Sequence, residues 1–186
     1  MERERIYADM HDDVGAKLLT LMHGSTDPQT ADLALALHQD LRDVVSRAHA
    51  PPPTLRAALA GIRDEAEQRL GNLGAELVWQ QPEKLPEMEL EAAQTLHLFR
   101  IVREAISNAI RHAAVHLLRV RIVIQGTVLV LDITDDGCGL KDGAGPSRGM
   151  QSMQSRAREL HAALHWDEGT QGGTKVVLEF PLPTGH

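Results

Sequence analysis

The sequence predicts an α+β protein in which an N-terminal two-helix hairpin precedes a two-layer α/β sandwich. Three observations support this fold class. Apolar residues recur at steps of three and four through the first 50 residues, three prolines interrupt the pattern at residues 51–53, and helical and strand patterns alternate beyond them. The prolines predict a domain boundary between residues 1–50 and residues 51–186.

Two amphipathic helices are expected in the hairpin, at residues 2–24 and 29–49. Either Asp27, with Pro28 at the first helical position, or Thr30 can cap the second helix. The apolar stripes contain Ile6, Met10, Val14, Leu18 and Leu21 in the first helix and Leu33, Ala34, Leu37, Leu41, Val44, Val45 and Ala48 in the second. A lone hairpin cannot bury both stripes, whereas two copies would form a four-helix bundle, so we expect a homodimer.

The second part of the chain alternates helical and strand patterns. The expected helices cover residues 54–73, 87–114 and 149–160, and the expected strands cover residues 75–80, 119–125, 128–134, 163–168 and 174–180. Thr54 can cap the first of these helices, and Gly126-Thr127 is a tight turn that joins two strands into a hairpin. Helices and an antiparallel-rich sheet in this order predict a two-layer sandwich.

The composition argues against several classes of function. The net charge is −7 and aromatic residues make up 3% of the sequence, which argues against nucleic-acid binding. The one cysteine, Cys138, excludes an internal disulfide and a zinc cluster and fits a reducing cytoplasm. No apolar run reaches the roughly 20 residues of a membrane helix, so we expect no membrane contact within this sequence.

The first candidate for chemistry is His11, which is followed at once by Asp12 and Asp13. His11 lies one residue past a stripe position, so we expect it on the flank of the helix, within reach of solvent. A neutral imidazole, with an ordinary pKa of about 6.5, is a nucleophile near pH 7. A neighbouring carboxylate can hold the imidazole N–H and leave the other nitrogen free to attack. The alternative is a solvated surface histidine without a chemical role.

The second candidate is one face of the long helix. Glu104, Asn108 and His112 (or Arg111) are spaced so that they share this face. The amide oxygen of an asparagine can complete the shell of a Mg²⁺ ion beside phosphate oxygens, and Arg111 and His112 can offset phosphate charge. A polar surface strip on an amphipathic helix is the alternative interpretation.

The third candidate is Asp135, which follows a buried strand and precedes Gly137 and Gly139. A carboxylate at a strand end can accept a hydrogen bond from an exocyclic amine such as that of adenine. The glycines let the backbone turn sharply and approach a ligand closely. An ordinary glycine turn is the alternative, whereas the ligand spacing of an EF-hand calcium loop is absent.

A glycine-rich segment, residues 137–149, leads into a helix that begins at Gly149. Free N–H groups at the start of a helix suit phosphate, and Lys141 and Arg148 are cations nearby. The alternatives are a mobile surface loop here and a plain hairpin turn at Gly172-Gly173-Thr174 before the last strand.

Taken together, these motifs resemble the ATP-binding fold of the GHKL superfamily, which includes gyrase, heat-shock chaperones, mismatch-repair ATPases and sensor histidine kinases. The resemblance is carried by Glu104-xxx-Asn108, Asp135-x-Gly137-x-Gly139, the glycine-rich segment and Gly172-Gly173-Thr174, in that order. With the His11-Asp12 hairpin in front, nearly the whole chain is similar to the catalytic core of a two-component sensor histidine kinase. The Arg-Glu-xxx-Asn-xx-Arg-His form is similar to the subfamily that partners helix-turn-helix response regulators.

The resemblance implies an ATP-dependent protein-histidine kinase that uses ATP and Mg²⁺. It implies that His11 is the phosphoacceptor and that Asp12 orients it and acts as general base. Glu104 stands where the superfamily's ATPases activate water, and in kinases it is expected to assist metal or acceptor positioning.

The resemblance also implies how the nucleotide is held. Asn108 is the expected Mg²⁺ ligand, and Asp135 is expected to bind adenine. The remaining expected binding residues are Gly137, Gly139 and Thr174 at the adenine pocket and Arg111, His112, Lys141, Arg148 and Gly149 near the phosphates.

The implied partners are a second copy of the chain and the receiver domain of a response regulator, whose aspartate takes the phosphoryl group. The implied location is the cytoplasm, including the cytoplasmic part of a membrane-bound sensor. Two rival functions are considered: a GHKL-type ATPase or serine/threonine kinase with His11 as a bystander, and a nucleotide-binding dimerisation module without phosphotransfer.

The sequence departs from the family pattern at two positions. Ala16 stands where the subfamily usually has a glutamine that helps water attack the phosphorylated regulator, and alanine cannot orient water. This argues against regulator dephosphorylation by that route. The usual Gly-x-Gly of the lid is Ser147-Arg148-Gly149, so one glycine is lost and a cation is gained.

Overall fold

The computed structural model describes residues 14–21, 23–47, 53–113, 115–139, 147–170 and 172–182. The chain divides into two compact units, Met1–Pro52 and Pro53–His186, and each is described by itself. His11, Asp12 and Lys141 lie outside the described residues.

The N-terminal unit is helical at residues 14–21 and in helix α1, Pro28–Arg47. Asp27 begins α1, since its Oδ2 accepts a hydrogen bond from the Thr30 N–H at 3.0 Å. Apolar side chains remain exposed in the single chain at Val14, Leu19, Leu21, Leu33 and Leu37. No described helix is long and apolar enough to span a bilayer.

The described residues of the C-terminal unit form three α-helices and one five-stranded sheet. The elements are α2 Leu55–Gly71, β1 Glu76–Gln80, α3 Ala92–Asn108, β2 Leu117–Gln125, β3 Val128–Asp135, α4 Arg148–Glu159, β4 Ala163–Glu168 and β5 Thr174–Pro181. The strand order is β1-β2-β3-β5-β4, with β1 parallel to β2 and every other pair antiparallel. The predicted α+β fold class is confirmed.

One hydrophobic cluster joins the helices to the sheet. Alternate residues of each central strand enter it, as the period of two in a strand requires. The strand members include Leu118, Val120, Ile122, Leu129, Leu131, Ile133, Leu178 and Phe180. The intervening residues are polar at several positions, and among them Asp132 pairs with Lys175 at 3.1 Å and Arg121 at 3.4 Å. One apolar face per strand fits the predicted two-layer sandwich.

The start of the long helix differs from the prediction. Helix α3 begins at Ala92, after a capping box between Glu91 and Gln94, and not at Glu87. The backbone before it pairs with the segment that precedes α2: Leu55 N–H donates to the Met88 carbonyl at 2.8 Å and Leu90 N–H donates to the Pro53 carbonyl at 2.9 Å. This pairing uses backbone groups that a longer helix would need.

The end of the long helix also differs from a plain α-helix. After Asn108 the chain continues as a π-helical turn, Ala109–Ala113. Such turns are rare, occur mostly as single turns at the ends of or within α-helices, and are frequent at functional sites.

Candidate functional site

Glu104, Asn108 and Arg111 form a polar cluster at the end of α3. Arg111 Nη2 lies 3.2 Å from Glu104 Oε1 and 3.5 Å from Asn108 Oδ1. Arg111 Nε donates to the Ser107 carbonyl at 3.2 Å, so the side chain lies back along its own helix. The sequence left open whether His112 or Arg111 joins Glu104 and Asn108, and the structure places Arg111 beside them. The backbone of His112 is part of the π-helical turn, and its side chain lies outside the described features.

The amide of Asn108 has a defined orientation. Its Nδ2 lies 4.0 Å from Sδ of Met153, a side chain on α4 that is fully buried. The amide oxygen therefore faces Arg111. An oxygen in this place can serve as one ligand to a hard cation.

Gly149 brings the start of α4 against this cluster. A β-carbon at Gly149 would overlap the Glu104 carboxylate, so any side chain would displace Glu104. Ser147 caps α4, since its Oγ accepts from the Met150 N–H at 3.2 Å, and Arg148 is exposed. Gly149 therefore leaves room for the Glu104 carboxylate in its place beside Arg111.

Asp135 lies at the end of β3 and is 8% exposed. Its Oδ1 accepts from the Gly137 N–H at 2.9 Å and from the Thr174 N–H at 3.1 Å. The carboxylate therefore ties its own glycine turn to the first residue of β5. Thr174 takes part through its backbone, a contribution that the residue type could not indicate.

Glycines let two loops pack on one another beside Asp135. A β-carbon at Gly173 would collide with the carbonyl oxygen and Oδ1 of Asp135. Gly139 has φ of +72°, and a β-carbon there would lie 2.9 Å from the Gly172 carbonyl oxygen. The interpretation of Gly172-Gly173-Thr174 as a plain hairpin turn is therefore incomplete, because this segment contacts the Asp135 turn directly.

The candidate residues fall into two groups in the C-terminal unit. Glu104, Asn108, Arg111 and Gly149 form the first, and Asp135, Gly137, Gly139 and Thr174 form the second. Within the described parts of the chain, no group of three or more His, Cys, Asp or Glu side chains could hold a metal. A Mg²⁺ ion held by one or two protein oxygens together with substrate phosphates would not need such a group.

Asp136 has a structural role that the sequence analysis did not identify. Its Oδ1 accepts from the backbone N–H groups of Leu117 at 3.0 Å and His116 at 2.9 Å. The hydrogen bond from Leu117 is the main cause that lowers the pKa of Asp136 below its ordinary value of 3.8, and that from His116 adds to it. Asp136 therefore anchors the start of β2 beside the Asp135 turn.

We expect Asp136→Ala to lower the free energy of unfolding by about 1–3 kcal/mol at pH 7, because two backbone donors lose a charged acceptor. The lowered pKa of the folded state means that this contribution is fully present above about pH 4. It is lost as the pH falls through the lowered pKa. Urea unfolding of both proteins between pH 7 and pH 3 measures the difference, and a difference independent of pH in this range would contradict the assignment. Asp136→Asn keeps an acceptor oxygen and should lose less.

A family model confirms the type of domain. Residues 93–184 match the family described as histidine kinase-, DNA gyrase B-, and HSP90-like ATPase. The match covers the Glu104–Arg111 cluster, the Asp135 turn and the start of α4.

Curated relatives match across the sequence. The chain is 29% identical to the sensor protein NarQ homolog of Haemophilus influenzae, over 97% of this chain and 35% of that protein. It is 28% identical to the nitrate/nitrite sensor protein NarX of Escherichia coli K12 (96% and 32%) and 27% identical to the sensor protein VraS of Staphylococcus saprophyticus (97% and 56%). The chain thus spans about a third to just over half of the length of these relatives.

Solved structures share the fold. The histidine kinase domain of the blue-light activated histidine kinase from Erythrobacter litoralis EL346 aligns with a TM-score of 0.64 at 17% identity, over 94% of both chains. The mycobacterial sensor histidine kinase MprB aligns with a TM-score of 0.54 at 17% identity, over 72% of this chain and 99% of that one. The family match and the whole-chain relatives together support a sensor histidine kinase catalytic core with a GHKL-type ATPase domain at residues 93–184.

Proposed function

We propose that this chain is an ATP-dependent protein-histidine kinase that phosphorylates His11 and passes the phosphoryl group to an aspartate of a response-regulator receiver domain. The observation that carries the proposal is the extent of the similarity. Sensor proteins match 96–97% of the chain, including the N-terminal helices and not only the ATPase domain. An ATPase or a dimerisation module without phosphotransfer would need only part of this arrangement.

The Asp135 turn is the proposed adenine site. Both internal hydrogen bonds of this carboxylate end on Oδ1, which leaves Oδ2 to accept from the exocyclic amine of adenine. The bonds to Gly137 and Thr174 hold the carboxylate in one orientation before the nucleotide arrives. A preorganised, buried acceptor of this kind favours adenine over a base that presents an acceptor in the same place.

The Glu104–Asn108–Arg111 cluster is the proposed site for the phosphates and Mg²⁺. Asn108 offers an amide oxygen to the metal, and Arg111 offers a cation to the phosphates. Bound Mg²⁺ would supply neutralisation of phosphate charge. Glu104 keeps Arg111 beside Asn108 through their 3.2 Å ion pair, and the backbone at Gly149 presents helix N–H groups. His112, Lys141 and Arg148 remain proposed phosphate-side residues.

Exposed apolar side chains of the N-terminal unit support the proposed homodimer. Leu33 is 44% exposed and Leu37 is 47% exposed in the single chain, and they lie four residues apart on one face of α1. Val14 and Leu21 are exposed in the first helical segment. A second copy that packs on these faces would remove them from water as a four-helix bundle.

Asp12 is the proposed base that orients His11. The proposed location of the pair is the cytoplasm, including the cytoplasmic part of a membrane-bound sensor. Ala16 is exposed in the first helical segment, and its side chain has no polar atom with which to orient water. We therefore propose that this protein delivers phosphoryl groups to its regulator without assisting their hydrolysis by the usual glutamine route.

Labelling with ATP that carries radioactive γ-phosphate tests the proposal. The chain should take up label that survives base and is lost in acid, as phosphohistidine is, and should transfer it to a receiver domain. Label with the opposite stability would indicate a serine/threonine kinase. ATP binding without any label would support the nucleotide-binding dimerisation module and contradict the kinase.

A further inference from the structure

The helix that carries Glu104 and Asn108 has a second polar side, which is buried against α2. Arg103 is 4% exposed and donates from Nε and Nη2 to the two oxygens of Glu65, at 2.6 and 2.7 Å. Arg69 is 1% exposed, and its Nη1 lies 3.9 Å from the same carboxylate. Buried ion clusters often contribute little net stability, because removing the charges from water is costly. Because Arg103 immediately precedes Glu104 in α3, this ion cluster is placed to set the position of the helix that carries the site.

Arg69 also binds α3 directly, at two successive turns. Its Nη1 donates to the Arg103 carbonyl at 3.1 Å, and its Nη2 donates to the Ser107 hydroxyl at 2.7 Å. Ser107 is 4% exposed and immediately precedes Asn108. These two bonds fix both the rotation of α3 and its position along its axis, relative to α2.

Ser107 connects this buried side to the site. While its hydroxyl accepts from Arg69, its carbonyl accepts from Arg111 Nε at 3.2 Å. Arg111 in turn contacts Glu104 and Asn108. A series of contacts therefore runs from the interior of the domain to the proposed metal and phosphate site, with the Ser107 residue itself joining the hydrogen bond of Arg69 to that of Arg111.

This series crosses the junction where α3 ends at Asn108 and the π-helical turn begins. A π-helical turn is less favourable than an α-helical one and needs support from its surroundings. Arg69 holds the last α-helical turn before the junction, and so constrains where the side chains on either side of it are placed.

We propose that Arg69, acting through Ser107, is a positioning residue for the cluster of Glu104, Asn108 and Arg111. Arg69 is buried and reaches the site only through its bonds to α3, so it is not a catalytic residue. The inference rests on the proposed function, because it takes Asn108 and Arg111 as the groups that meet the metal and the phosphates.

The test is the affinity for ADP, measured by calorimetry with and without Mg²⁺, for four variants. Ser107→Ala and Arg69→Met should reduce the Mg²⁺-dependent gain in affinity about tenfold, as is typical when a residue that supports a metal ligand is lost. ADP affinity without Mg²⁺ should fall less, since it depends on the adenine site and on Arg111 but not on the metal ligand Asn108. Ser107→Thr keeps the hydroxyl and should restore the gain.

The matched control is Arg63→Met, which removes an arginine of the same helix whose ion pair with Glu67 is half-exposed. It should leave both affinities unchanged. A full Mg²⁺-dependent gain in folded Ser107→Ala would overturn the inference, even if Arg69→Met does not fold. The titration needs no phosphoryl transfer. A wild type that takes up no label would therefore contradict the kinase proposal, while the ADP affinities would still test the role of Arg69. A wild type without any Mg²⁺-dependent gain would overturn the inference itself.

Discussion

His11→Gln should take up no phosphate from ATP, while its affinity for ATP stays within about twofold of the wild type. Glutamine is polar and of similar reach, but it lacks the ring nitrogen whose lone pair attacks the γ-phosphate. The residues proposed to hold the nucleotide all belong to the C-terminal unit, which this substitution does not alter. Label incorporation and calorimetric titration of the same samples measure the two effects separately.

His23→Gln is the matched control for His11→Gln, because His23 is an exposed histidine of the same N-terminal unit. It should be labelled like the wild type. Base-stable label that persists in His11→Gln would mean that another histidine accepts the phosphoryl group. Asn108→Ala, tested beside it, should lose label for a different reason, since its Mg²⁺-dependent nucleotide affinity should fall as well.

Asp135→Asn should bind ATP about 10- to 100-fold more weakly and keep its fold. The asparagine oxygen can still accept from the Gly137 and Thr174 N–H groups, so the two loops stay joined. The amide nitrogen would then replace Oδ2 and oppose the amine of adenine. A lost hydrogen bond to a charged acceptor costs about 1.5–3 kcal/mol, which corresponds to this change in affinity. Calorimetry measures the affinity, and thermal unfolding checks the fold.

Asp132→Asn is the control for Asp135→Asn, because Asp132 lies on the same strand and points to the opposite face of the sheet. Its carboxylate contacts Lys175 and Arg121. Asp132→Asn should lower the temperature of thermal unfolding, if it has any effect, and should leave the ATP affinity unchanged. Equal losses of affinity in both variants would indicate a general effect on the sheet and would argue against an adenine site at Asp135.

Local patterns were sufficient wherever neighbouring residues settle the structure. The β2–β3 hairpin was predicted from two apolar runs around Gly126, whose φ is +60°. The cap of α2 by Thr54 and the order of helices and strands were also confirmed. In each case the deciding interactions lie within a few residues along the chain.

Distant contacts decided the features that the sequence did not predict. Helix α3 starts later than expected because the backbone before it pairs with residues 53–55. The sequence analysis did not single out Arg69, which is buried because Glu65 offsets its charge and because the Arg103 carbonyl and the Ser107 hydroxyl of α3 accept its hydrogen bonds. The π-helical turn after Asn108 had no counterpart in the apolar pattern.

The sequence by itself determined the fold class, the order of the elements and the residues on which the chemistry is proposed to depend, because periodicity and motif spacing are properties of short stretches. Only the tertiary structure decided which groups meet. It placed the start of α4 against Glu104 at Gly149, used the backbone N–H of Thr174 to hold Asp135, and required Gly173 to lack a side chain. Each of these depends on two segments that approach within a few ångströms in space while lying far apart in the chain.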